Sequence, residues 1–357
     1  MAANHNDTIT ITILLDAAPL VAAGFGNVLL LVDLATNSLN GSRVVTYASA
    51  AEASADQAAG YISAGTLAAV NVAFSQRPQP TRFKVGYVDI VGGESYSDGL
   101  SSVESLDADF YGICINSRSD ADILSVSAAA EAMNRVFMFQ SADSDWLTAG
   151  GLPPALTALD SRDRSVGIWH DTASEWSDVA WIVNRLAFDP DVISATWNAA
   201  PKSVTAYSTN LTQAQKDFAD VNNINLGLEF GPETFYIDAG GTMTGRPVYE
   251  IETADWFETR LQEAVITQKV NYAARGEKIQ VAAPGQALLK SLIDSQFDIG
   301  VAAGHFVDGQ TESTMLEITA ADLAAQRIRG SGRAQIAVDG RIFDFTFNFG
   351  RTPLADS

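Results

Sequence analysis

The chain has 357 residues, 47% hydrophobic and 18% charged, which supports two or three cored domains and argues against a disordered chain. Its formal net charge is −21 and Cys114 is its single cysteine, so nucleic acid and anionic membranes are disfavoured as partners and no internal disulfide can form. The polar start, residues 1–7, lacks the basic and apolar regions of a signal peptide, and no run of ~18 apolar residues occurs, so a soluble protein made in a cytoplasm is expected.

Residues 8–14 read TITITIL. Ile9, Ile11 and Ile13 share one face of a strand, Thr8, Thr10 and Thr12 the other, and all but Leu14 are β-branched. Residues 21–200 then alternate strand-like and helix-like segments. Short apolar runs at 28–32, 82–89, 110–115, 135–139, 166–169 and 193–197 predict strands covered on both faces. Ser49 with Glu52, and Thr172 with Glu175, have the spacing of capping boxes. After Thr172, the residues Trp176, Val179, Ala180, Val183 and Leu186 keep helical spacing, and Ser119 opens another helix with Ile123, Val126, Ala130 and Met133 inward. This alternation predicts an α/β layered domain.

Residues 198–211 are polar, contain Pro201 and read as a linker. Thr212 with Gln215 caps a further helix. Segments 235–238 and 247–252 read as strands joined through Gly240, Gly241 and Gly245. Thr253 is then expected to cap a helix, with Asp255 and Glu258 in its first turn and Phe257, Leu261, Ala264 and Val265 as its buried stripe. A helix from Pro284 buries Leu288, Leu289, Leu292, Ile293 and Phe297, and a last helix spans 320–329 with Thr319 and Asp322 as its box. In 341–349, Phe343, Phe345, Phe347 and Phe349 share one strand face, opposite Asp344, Thr346 and Asn348. The expected fold class is therefore α/β, or α+β overall. An outer α/β layered domain (21–200) is followed by a C-terminal α+β domain (201–338), with extended strand arms at 1–20 and 339–357.

Signatures of chemistry are sparse. Neither a P-loop nor a Gly-x-Ser-x-Gly elbow is present, and Gly24-Phe25-Gly26 precedes a strand where a dinucleotide fingerprint would follow one. Ser95 and Ser97, within 92–99, have the wrong spacing for a nucleophile and read as loop. His170, followed by Asp171, Glu175 and Asp178, is the best enzymatic candidate, although Glu175 has a simpler role in capping. Asp107-x-Asp109-x-x-Gly112 departs from a calcium loop at Tyr111 and Arg118. One cysteine excludes Cys-x-x-Cys zinc spacing. Cys114 reads as a buried small hydrophobe. No catalytic, cofactor-binding or metal residue is therefore assigned.

A strand with one apolar face must pair with a sheet edge, in its own subunit or in another. For 341–349 both options stand: residues 335–338, Asp339-Gly340 and 341–343 suit a two-residue hairpin, and the same strand suits donation to a neighbour. One-directional donation closes rings or builds open helices.

The run from Gly241 to Leu261, GTMTGRPVYEIETADWFETRL, resembles the contractile tail sheath proteins of myophages and related injection machines. The order that follows is also similar: a long helix, a break at 282–285, a helix, a glycine-containing strand region, a helix near Ala320 and a final strand. The resemblance implies a structural subunit of the virion, assembled in the host cytoplasm, with no cofactor. Its copies form stacked rings, expected to be hexameric, around a tail tube, with baseplate and tail terminator proteins as further partners. It also implies strand exchange, with Ile9, Ile11, Ile13, Phe343, Phe345 and Phe347 as anchors, and a tube-facing C-terminal domain, the exposed face of helix 254–272 being the expected contact. Two other readings stay open: an α/β enzyme with a site near His170, and another self-assembling, surface-layer-type protein.

Overall fold

In β1 (Val28–Asp33, VLLLVD) every residue but the last is buried, because the strand lies mid-sheet with helices on both faces. The computed structural model of the chain describes residues 24–34, 39–148, 153–204, 211–229, 235–238 and 240–340. After β1 come β2 (Val44–Tyr47), α1 (Ala50–Ala58), α2 (Ala64–Ser75), β3 (Phe83–Val88), α3 (Tyr96–Leu106), β4 (Gly112–Ile115), α4 (Asp120–Ala132) and β5 (Val136–Ser141). Then follow α5 (Pro154–Leu159), β6 (Ser165–Trp169), α6 (Ser177–Leu186), α7 (Gln213–Val221), β7 (Asn225–Glu229) and β8 (Phe235–Asp238). The remainder is α8 (Val248–Ala274), α9 (Ala283–Ala303), β9 (Phe306–Met315), α10 (Ala320–Ala324) and β10 (Gly330–Ile336).

Eight strands form one sheet in the order β2-β3-β1-β4-β5-β6-β7-β8. The six from β3 to β7 are parallel, and β2 and β8 pair antiparallel at the edges. Alternation along β1 divides the core: Leu30 and Val32 pack with α2 and α6, whereas Leu29 and Leu31 pack with α3 and α4. The first of these cores continues into Trp256 on α8, Phe297 on α9 and Phe306 on β9, so the C-terminal elements grow directly from the α6 face. The observed class is the expected mixture of α/β and α+β. β7 and β8, from the 201–338 region, belong to the same sheet as β1–β6.

Several local expectations are corrected. Residues 193–197 form no strand; their backbone bridges units instead, Ser194 N donating to Ala303 O at 2.7 Å and Trp181 Nε1 to Trp197 O at 2.9 Å. Thr172 caps no helix: Glu175 N closes a turn on Thr172 O, and α6 starts at Ser177 after Trp176 adopts a left-handed φ of 56°. Segment 247–252 is not a strand, since Pro247 (φ −61°) is the N-cap of α8 and Thr253 lies buried within that helix. The stretch around Ser95 is a helix start, where Ser95 and Asp98 form a reciprocal capping box. The helix at 320–329 stops at Ala324, although its Thr319–Asp322 box is present. Glu52 reaches Ala48 N at 2.9 Å, while Ser49 caps α1.

Candidate assembly surface

One face of α8 anchors the C-terminal elements to the sheet. Residues spaced three and four apart share a helix face, and here that face carries Glu252, Asp255, Trp256 and Thr259. Asp255 holds Arg164 in a bidentate pair, with Nη1 at 2.5 Å and Nη2 at 2.7 Å, and accepts from Tyr111 Oη at 2.6 Å. Glu252 accepts from Trp197 Nε1 at 2.8 Å in a buried site. Burial pushes the Glu252 carboxyl up to about 7; the Trp197 bond and the Arg185 charge pull downward, and the Asp255 charge adds to the rise. Burial likewise lowers Arg185, to about 10.

One turn on, Trp256 Nε1 donates to Asp191 Oδ1 at 2.7 Å, and its indole stacks on His305 at 4.4 Å. His305 Nε2 lies 2.7 Å from Pro190 O, an acceptor only, so Nε2 carries the proton and Nδ1 accepts from Thr253 Oγ1 at 2.8 Å. Burial lowers the His305 pKa, with the Pro190 bond opposing. This histidine is a neutral, fully bonded core residue.

Beyond this anchor lies a two-stranded ribbon. β9 pairs antiparallel with β10, Met315 opposite Gly330 and Glu312 opposite Arg333. α9 covers one face: Lys290 Nζ reaches Ser313 Oγ at 3.0 Å, and Gln286 Nε2 reaches Leu316 O at 2.7 Å. The other face is polar, with Gln310, Glu312, Thr314, Arg333 and Gln335 exposed. Among the described residues no third strand joins either edge. Such a ribbon offers two rows of backbone donors and acceptors to another chain. Its last strand leads to Ala337, whose N–H donates to His305 O at 2.9 Å, and so into the segment from 341 onward.

The six assigned contact residues, Ile9, Ile11, Ile13, Phe343, Phe345 and Phe347, lie outside the described residues. Helix 254–272 belongs to α8; Trp256, Thr259, Leu261 and Gln262 in its first half are buried, whereas Thr267, Lys269, Val270 and Asn271 are exposed. Of the carboxylates expected around His170, Asp171 lies beside it and Asp178 is engaged elsewhere. His170 is 1% exposed, its Nδ1 accepts from Thr172 N at 3.0 Å and lies 3.5 Å from Asp171, and fully buried Asp178 is committed to Arg118. Asp107 and Asp109 surround the buried ammonium of Lys84, at 2.6 Å and 3.6 Å. Cys114 is buried, as expected.

A doubly wound sheet usually holds its ligand at the strand carboxyl ends where the order reverses, here between β1 and β4. There Asn116 bonds Asp33 and accepts from Tyr96 Oη at 2.5 Å, and the Arg118 guanidinium lies 5.1 Å over the Trp176 ring. These polar groups are spent on one another. Among the described residues no group of three His, Cys, Asp or Glu could hold a metal ion, and no helix is long and apolar enough to cross a membrane.

The Glu252–Trp197 and Asp255–Arg164–Tyr111 links were not found by sequence reasoning. The one available signal was the i, i+3 row of acids Glu252, Asp255 and Glu258, of which the first fell in the expected strand and the other two read as first-turn charges.

No family model and no curated protein matches the sequence. Solved structures do match its fold. A chain from the cryo-EM structure of the anti-feeding prophage baseplate aligns with TM-score 0.67 at 10% identity, covering 96% of this chain and 99% of that one. The anti-feeding prophage helical sheath in its contracted state aligns with TM-score 0.64 at 10% identity, covering 96% and 99%. The contracted PVC sheath complex of an extracellular contractile injection system gives TM-score 0.64 at 9% identity, covering 96% and 94%. The described residues therefore share their fold with these sheath and baseplate chains.

Proposed function

We propose that the chain is the structural subunit of a contractile sheath. Copies polymerise as stacked, hexameric rings around a tail tube, linked by strand exchange, and contract to drive the tube through a host envelope. The open two-stranded ribbon of β9 and β10 carries this reading. Packed on α9 by one face, the ribbon still presents two edges of backbone donors and acceptors that no strand covers among the described residues, and the chain carries two amphipathic segments, 8–14 and 341–349, suited to pair with such edges. Ile9, Ile11, Ile13, Phe343, Phe345 and Phe347 are the anchors. The contracted-sheath fold of the anti-feeding prophage and PVC neighbours supports the same reading.

Contraction requires two packings of the same subunits separated by a barrier. Strand links preserve connectivity while subunits tilt, and the buried α8 anchor keeps each subunit's sheet and ribbon together. Baseplate and tail terminator proteins end the polymer, and the assembled particle is a virion or a tail-like injection machine. Deleting residues 340–357 tests the arms. The truncated chain is expected to remain folded and monomeric by size-exclusion chromatography with light scattering. Tubes formed by it refute strand exchange, and unfolding assigns the strand to its own subunit.

A further inference from the structure

The hairpin between α8 and α9 separates charge from the rest of the chain. Residues 264–289 carry Lys269, Arg275 and Lys278 against the single acid Glu277, a net of +2; with a total of −21, the remainder carries −23. Arg275 is tied to Glu277 at 3.0 Å and lies 4.6 Å from the centre of the Tyr272 ring. Lys269 and Lys278 are exposed, and among the described residues neither has an ion pair. No residue of α8 after Gln262 is buried, so 263–274, about 18 Å of helix, stands off the core. In the crook of the hairpin, Tyr272, Ile279, Pro284 and Leu288 wall a cleft of about 590 Å³ with Lys278 beside it. Gly285 allows the tight turn, since a Cβ there would lie 2.0 Å from Gln280 O.

We propose that this hairpin tip docks onto an acidic face of a second copy of the chain. The inference rests on the self-assembly reading above and adds a contact independent of the terminal arms. The complementary chemistry is present on the molecule itself. Ile90 and Val91, 44% and 80% exposed, form an aliphatic pair on a turn whose own carboxylates are engaged, Glu94 by Arg43 and Asp89 by Gly92 N. That pair offers the cleft its apolar filling, and the net −23 carried by the rest of the chain offers the lysines their counter-charges.

Salt acts on this contact in two directions. Copies of net charge −21 repel at long range, and salt suppresses that term beyond a Debye length of about 8 Å at 0.15 M. A lysine–carboxylate contact inside that distance persists until the salt is much higher. Association therefore passes through a maximum near ~0.15 M and falls toward ~1 M.

The test is sedimentation velocity of the full chain and of K269E/K278E from about 20 mM to about 1 M NaCl. Both positions are exposed, so circular dichroism of the variant is expected to match wild type. The expected result is a wild-type maximum, with association of the variant weakened about tenfold near that maximum. A carbodiimide that joins amines to touching carboxylates, applied to mixed isotope-labelled and unlabelled chains, is expected to link Lys269 or Lys278 of one copy to Asp or Glu of another. Unchanged association in K269E/K278E overturns the tip contact and leaves the self-assembly reading standing. A wild-type chain that stays monomeric at every salt, with the tube subunit added as template, overturns both. Links running from the tip only to tube subunits, in tube-containing particles, overturn the second copy as occupant.

Discussion

Glu252→Gln is expected to stabilise the protein, by an amount that grows from pH 4.5 to about 7 and is full above that. In the folded chain burial raises the Glu252 carboxyl to about 7, against 4.5 for an unperturbed glutamate. The folded state therefore holds this proton more tightly than the unfolded state. Below pH 4.5 both states are protonated and the group contributes nothing. Between 4.5 and about 7 stability falls as pH rises, and above 7 the full penalty is present. At 1.36 kcal/mol per pH unit that penalty is about 3 kcal/mol. Glutamine keeps an acceptor for Trp197 Nε1 and removes the charge. Urea unfolding at several pH values measures the difference: E252Q should gain about 3 kcal/mol at pH 8 and at most about 1 kcal/mol at pH 5. A gain independent of pH, or a loss at pH 8, refutes the reasoning and makes Glu252 an ion that the fold requires.

Two further outcomes follow from the same anchor. Asp255→Asn leaves the Arg164 guanidinium, 15% exposed, without its carboxylate and should cost about 3 kcal/mol in urea unfolding; Arg164→Met with Asp255→Leu should recover most of that loss. His305 is held neutral by burial, with its pKa below 6.5, so the unfolded state takes up the proton first and this group removes stability as pH falls below about 6.5. NMR titration of the ring should show a midpoint under 6.5. His305→Gln in an E252Q background, where the opposing Glu252 slope is absent, should flatten the acid limb of stability.

Legibility of the fold followed burial on two sides. β1, β3, β4, β5 and β6 were readable as short apolar runs because each lies between helix layers. Residues 193–197 have the same composition but bridge a helix end to the anchor, a role that only tertiary contacts specify. Pro247 misled for a different reason. Its fixed φ suits a strand and a helix start equally, and VYEIE alternates well enough to pass for a strand. Burial of Glu252 against Trp197 shows why the helix wins there. Arg164 and Asp255 are separated by 91 residues, and no local pattern announces a pair that distant. Beside the sheet the capping box of α7, and at the ribbon that of α10 and the start of α9 at Ala283, next to Pro284, were legible from a few residues. β9 was not: its exposed, polar face gives little apolar alternation.

Electron microscopy of the purified full-length chain, at rising protein concentration and across the salt range, tests the central claim most directly. Self-assembly into a sheath predicts stacked rings or hollow cylinders, most abundant near ~0.15 M salt. A uniform small particle at every concentration and salt, with the tube subunit added as template, contradicts it.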